Sequence, residues 1–193
     1  MTLDEMKLDI TRILESMGLT KLLDYLNISD FWTAPASTRF HDAEVGGLLR
    51  HSYKVAINCR KIASVMGITS PIENLFHFCI LLGVTHDLCK VNFYKQDFRN
   101  VKDDNGNWNK VPCYSVRDDH TSYGHGMTSY IRLSELIDDK SLVKALELPV
   151  IYHMGIYDVS DQAIYGYNKA KEDSPWLLVL QAADSFAASM KED

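Results

Sequence analysis

The sequence predicts a mainly α-helical fold interrupted by one β-hairpin over about residues 92–118. Three observations carry this. Apolar residues recur at three- and four-residue intervals along most of the chain. Capping signals stand at the heads of several of these runs. Between residues 92 and 118 the helical period fails, and an Asp103-Asp-Asn-Gly-Asn107 turn separates two segments bearing Phe98, Val101, Trp108, Val111, Tyr114 and Val116.

The elements follow in order. Thr2 and Glu5 have the spacing of a capping box, and Leu3, Met6, Ile10, Ile13 and Met17 form the stripe of a first helix. A second helix is expected over about residues 20–28, then a loop from Phe31 to Asp42. A long helix is expected from Glu44 to Met66, its inward face at Leu48, His51, Val55, Ile62 and Val65/Met66. Ser70-Pro71-Ile72-Glu73 combines a capping box with proline at the first helical position. The helix it opens is apolar nearly all round through Val84, which marks it as central and buried. It delivers His86-Asp87-Leu-Cys-Lys90 at its C-terminal end. Beyond the hairpin, helices are expected at about 127–138 and 141–154, with Pro149 able to bend the second. A tyrosine-rich loop precedes a last helix from Ser174-Pro175 to about Met190.

Composition narrows the function. A chain of 193 residues, 46% hydrophobic and 24% charged, suits one globular domain (1–193) rather than disorder. The formal charge of −6 opposes attraction to long nucleic acids and anionic membranes, but it leaves room for a small phosphorylated ligand. Four cysteines with no C-x-x-C pair read as reduced thiols. No basic-then-apolar leader opens the chain, and the most apolar stretches fall short of the roughly 20 residues of a membrane span. A cytoplasmic location is expected; nothing indicates an oligomeric state.

Seven histidines ask for an explanation. A His-Asp dipeptide alone means little, since on the order of one arises by chance, and His41-Asp42 is a second. Context separates the two. His86-Asp87 ends a buried helix, and Lys90 follows on the same side. Other polar residues also interrupt apolar stripes: His51 between Leu48 and Val55, Asp184 among Leu177, Leu180 and Ala187, and His153 after Leu146 and Val150. A buried carboxylate needs a cation, a donor network or a metal, so this set suggests a metal site inside a helix bundle. His125, between Gly124 and Gly126, is a further candidate ligand, with His120 as its rival.

On these residues the chain resembles the HD-domain superfamily of metal-dependent phosphohydrolases. The family pattern reads here as His51, His86-Asp87, His125, His153 and Asp184. Gly46-Gly47-Leu48 before His51, Tyr123-Gly-His-Gly126, and His153-Met-Gly155 with Asp158 resemble a small bacterial and phage subgroup. The resemblance covers about residues 31–190, leaving 1–30 as N-terminal helices, and implies an HD-domain helical bundle. It also implies a first metal held by His51, His86, Asp87 and Asp184, and a second completed by His125 and His153, with Asp87 bridging.

The resemblance further implies one or two divalent transition ions (Mn, Fe, Co, Ni or Zn, with Mg also admissible) and water as nucleophile. Asp87 and Lys90 would act in catalysis, Lys90 on the phosphoryl oxygens. The expected substrate is a nucleotide or short oligonucleotide; the alternatives are a di-iron oxygenase and a non-catalytic nucleotide sensor. Weaker candidates for substrate contact are His41, Arg50, Lys54, Lys95, Arg99, His120, Tyr157 and Asp158. His77 reads as a core histidine and Cys89 as a buried bystander.

Overall fold

The capping box at the N-terminus forms as the sequence predicts. In the computed structural model, which describes residues 1–119 and 123–189, the Thr2 hydroxyl accepts from the Glu5 amide while Glu5 accepts from Thr2. Helix α1 (Leu3–Ser16) buries Met6, Ile10, Ile13 and Leu14, and α2 (Thr20–Ile28) buries Leu22, Leu23 and Leu26 against the same core. Eight α-helices and one two-stranded sheet make up the regular structure of the described residues, apart from short 3-10 turns.

Helix α3 spans Gly47–Met66, starting three residues later than expected. The reason lies in the loop before it. The Ala36 amide donates to the Asp42 carbonyl at 2.9 Å, folding residues 36–42 into a tight turn packed on the helix start. Gly46 sits there at φ +77°, and a Cβ on Gly47 would meet the Asp42 carbonyl oxygen at 1.8 Å. The glycine pair therefore lets this loop close over α3. The inward stripe of α3 runs through Leu48, His51, Val55, Cys59 and Ala63. Val65 and Met66 are exposed, against expectation. Val65 lies about 200° round the helix from Ala63, and Met66 falls in the terminal turn before Gly67.

Helix α4 (Leu75–Thr85) is buried from Phe78 to Thr85, as its all-round apolar sequence predicts. Its start corrects the proposed capping box. Asn74 is the N-cap, its side-chain oxygen accepting from the Phe76 and His77 amides, while Ser70 caps only a turn at Ile72. His77 consequently lies in the first turn, half-buried, not in the core. Packing against α3 is close: a Cβ on Gly83 would meet the Ser52 carbonyl oxygen at 2.2 Å.

A 3-10 turn, Leu88–Lys90, leads to the hairpin of β1 (Tyr94–Lys102) and β2 (Trp108–Val116), antiparallel with Tyr94 opposite Val116. The hairpin is largely exposed, and at its base the Tyr94 hydroxyl donates to the Ala36 carbonyl of the loop before α3. Helices α5 (His125–Leu136) and α6 (Lys140–Ile151) follow, with Pro149 buried inside α6 and no restart there. Because α6 ends at Ile151, His153 stands in the turn beyond it, not on the helix. The stretch read as a tyrosine-rich loop contains α7 (Ile164–Asp173), and α8 spans Pro175–Ser189. The expected end at Met190 lies outside the described residues. No helix among those described is long and apolar enough to cross a membrane.

Two stability predictions follow from the capping and the close packing. Asn74→Ala should destabilise the fold by about 1 kcal/mol in urea titration, and Ser70→Ala by about 0.5 kcal/mol or less. Equal effects would contradict the assigned helix start. Gly83→Ala should destabilise by about 1–3 kcal/mol, because a carbonyl oxygen occupies the space of the new methyl.

Candidate metal centre

Four core elements each bring a polar residue where periodicity alone would place an apolar one. His51 comes from the buried face of α3, His86 and Asp87 from the end of α4, Asp184 from α8, and His153 from the turn after α6. Asp87 is 2% exposed. His51 Nε2 lies 3.3 Å from His86 Nε2, 3.0 Å from Asp184 Oδ1 and 3.6 Å from Asp87 Oδ2. His86 Nε2 lies 3.2 Å from Asp87 Oδ2 and 4.0 Å from Asp184 Oδ1. Bonds of about 2.0–2.2 Å to one central ion separate neighbouring donors by roughly 3.0–3.5 Å, and His51, His86 and Asp184 come close to that spacing, with Asp87 beside the two histidines.

The other Asp87 oxygen faces a second group. Oδ1 lies 3.7 Å from His153 Nε2 and 4.0 Å from Cys89 Sγ, and Cys89 Sγ lies 3.2 Å from His125 Nδ1. Both His51–His86–Asp184 and His86–Asp87–His153 present ligand atoms close enough to share an ion; so does Asp87–Cys89–His125.

The histidines are oriented for such a role. His86 Nδ1 donates to the Gly83 carbonyl and His153 Nδ1 to the Val150 carbonyl, each at 2.8 Å, which leaves both Nε2 lone pairs facing Asp87. His153 Nε2 is buried without a hydrogen-bond partner. Backbone contacts hold the turn after His86: Arg132 donates to the Leu88 and Val91 carbonyls, and the Cys89 amide donates to Ser129 Oγ.

Charge is balanced locally. Burial alone would raise the Asp87 pKa, but Lys90, with Nζ at 2.7 Å from Oδ2, and His86 outweigh it and hold the carboxyl well below its usual range. Burial likewise opposes ionisation of Asp184, and the His51 hydrogen bond overcomes it. Lys90 is pushed up: the attraction of Asp87 outweighs desolvation, so its ammonium stays charged. Burial lowers His51 and His125 and so favours their neutral, ligating forms. Burial pushes the Cys89 thiol up to about 12.

These groups floor a cleft of about 860 Å³ whose lining includes Asp87, Lys90, His125, His153 and Asp184. Of the weaker candidates, His41 and Tyr157 line it, and the His41 ring stacks 4.9 Å from that of His51. Arg50 does not line it; Asp42 and Glu44 engage its guanidinium on α3, and Lys54 also reaches Asp42. Lys95 pairs with Asp118 on the exposed hairpin, and Arg99 lines a separate shallow depression with Arg39. Asp158 accepts from the Gly126 amide and so braces the start of α5. His120 lies outside the described residues, whereas His125 is in the cluster.

Sequence reasoning set Cys89 aside, yet its sulfur touches His125. Its one available signal was its place two residues after Asp87. Ser37 was also missed; its hydroxyl donates to the His41 carbonyl and lines the cleft. Comparison with protein-family models, curated proteins and solved structures finds no match to this chain.

A cation bound only by the folded state must stabilise it. Zn²⁺ at a hundredfold excess over its Kd should add about 2.7 kcal/mol to unfolding, read as a raised urea midpoint that EDTA reverses. An unchanged midpoint with every divalent transition ion tried would contradict the metal-site reading.

Proposed function

We propose that this chain is an HD-type, metal-dependent phosphohydrolase that cleaves the phosphate ester of a nucleotide or short oligonucleotide in a cytoplasmic setting. One observation carries the reading. A buried carboxylate, Asp87, turns Oδ2 to His51 and His86 and Oδ1 to His153, and the Lys90 ammonium stands beside it at the floor of an open cleft. The resemblance in ligand order supports the same conclusion. One or two ions of Mn, Fe, Co, Ni or Zn suit the mixed imidazole and carboxylate donors, with Mg admissible.

Such ions, when bound, supply Lewis-acid charge to phosphoryl oxygens and make water a nucleophile at neutral pH. The chain's own residues do the rest. Lys90 presents a fixed positive charge where negative charge grows on the phosphoryl group. Asp87 holds that ammonium and orients it. His41 offers a buried, unpartnered Nε2 at the cleft wall, suited to a polar group of the substrate. Phe93, Tyr94 and the exposed Phe40 and Tyr157 give the walls flat apolar surface for a base. The cleft falls within the roughly 300–1,000 Å³ typical of small-ligand sites, and the acidic exterior disfavours long polyanions.

The test is a panel of phosphomonoesters, phosphodiesters and nucleotides, assayed with each ion in turn. Lys90→Gln should retain metal and lose about 10²–10³-fold in kcat. Full activity in that variant would remove Lys90 from catalysis. Oxygen uptake without phosphate release would favour a di-iron oxygenase, and tight nucleotide binding without turnover a sensor.

A further inference from the structure

We propose that Cys89 is itself a metal ligand, so that the second ion position is a mixed sulfur, nitrogen and oxygen site formed by Cys89 Sγ, His125 Nδ1 and Asp87, with His153 Nε2 beside the same carboxylate. The inference rests on the metal-centre reading and names the ion class the second position selects. A thiolate favours borderline and soft ions such as Zn²⁺, Co²⁺ and Cd²⁺ over Mg²⁺ and Mn²⁺.

Three features support it. Cys89 Sγ and His125 Nδ1 are 3.2 Å apart, and both lie within ligand-sharing distance of Asp87. His153 Nε2, on a side chain 3% exposed, has no hydrogen-bond partner and points at the same Asp87 oxygen from 3.7 Å, too far for a hydrogen bond. An unpaired buried nitrogen calls for a partner, and a cation held at that Asp87 oxygen supplies one. Finally, the sulfur is positioned by its backbone: the Cys89 amide donates to Ser129 Oγ, and Arg132 holds the carbonyls of Leu88 and Val91 on either side. Binding is a simple exchange, in which the metal–sulfur bond forms and the thiol proton leaves to solvent.

The other cysteines do not compete. Cys59 and Cys79 are sealed in the apolar core, and Cys113 lies on β2.

Cobalt(II) titration of the whole protein tests the proposal without any activity assay. The expected result is a near-ultraviolet thiolate-to-cobalt charge-transfer band alongside the visible d–d bands, lost in Cys89→Ser and kept in Cys113→Ser. Zinc affinity at the second position should fall at least about tenfold in Cys89→Ser, since even outer partners of metal ligands cost that much. Visible d–d bands with no charge-transfer band would overturn the Cys89 assignment, reducing the contact to a thiol–imidazole hydrogen bond, and leave the first position standing. Failure to bind cobalt at all would overturn the metal centre itself. Should Cys89→Ser not fold, ¹¹³Cd NMR of the unmodified protein decides: a resonance shifted downfield by sulfur supports the assignment, and one in the range of nitrogen and oxygen ligands alone refutes it.

Discussion

A carboxylate withdrawn from water costs several kcal/mol unless cations and donors replace its hydration. Asp87 is such a group, and much of the bundle is arranged around it. Its Oδ2 meets Lys90, His86 and His51, its Oδ1 faces His153 and Cys89, and Asp184 closes the far side of the histidine pair. Lys90 and His86 together offset the cost of its burial. The histidines then bring their Nε2 atoms to a centre of negative charge, an arrangement better matched to a cation than to the protein's own hydrogen bonds.

Holding those groups requires backbones to approach closely. Gly83 lets α4 settle on α3, which brings His86 to His51, and its carbonyl fixes the His86 tautomer. Gly126 does the same between α5 and α6: a Cβ there would meet the Ile151 carbonyl oxygen at 1.9 Å, and the fit brings His125 near the turn carrying His153. Gly46 and Gly47 admit the loop that stacks His41 on His51. The sequence carries a net charge of −6, and at the cleft floor Lys90 faces Asp87 and Asp184, so that floor would turn positive only with cations bound.

Much of this was legible in the sequence because local rules and tertiary demands coincide. The Thr2–Glu5 box, the apolar α4 and the hairpin turn each state their structure within a few residues. His51 and Asp184 stood out as polar interruptions of apolar stripes. Legibility failed where two local signals competed or where the cause is remote. Ser70-Pro71 and Asn74 are both good helix starts, and only packing selects Asn74. Leu146, Val150 and His153 keep helical spacing although the helix stops at Ile151, because His153 Nδ1 turns back to the Val150 carbonyl. Helix α7 has little amphipathic pattern, being held by Tyr167 and Ala170 against Leu177. Arg50 resembled a phosphate contact, yet its partners are acids six and eight residues earlier, in the loop before α3. Cys89 looked inert because its partner, His125, lies beyond the whole hairpin.

The central claim is that one carboxylate serves two cation positions, and metal stoichiometry tests it most directly. Elemental analysis after reconstitution with cobalt or zinc and removal of loose ions should find two equivalents in the unmodified protein. Asp87→Ala, folded by circular dichroism, should retain neither. If that variant kept one or both ions, the two positions would not depend on a shared carboxylate, and the account would be contradicted.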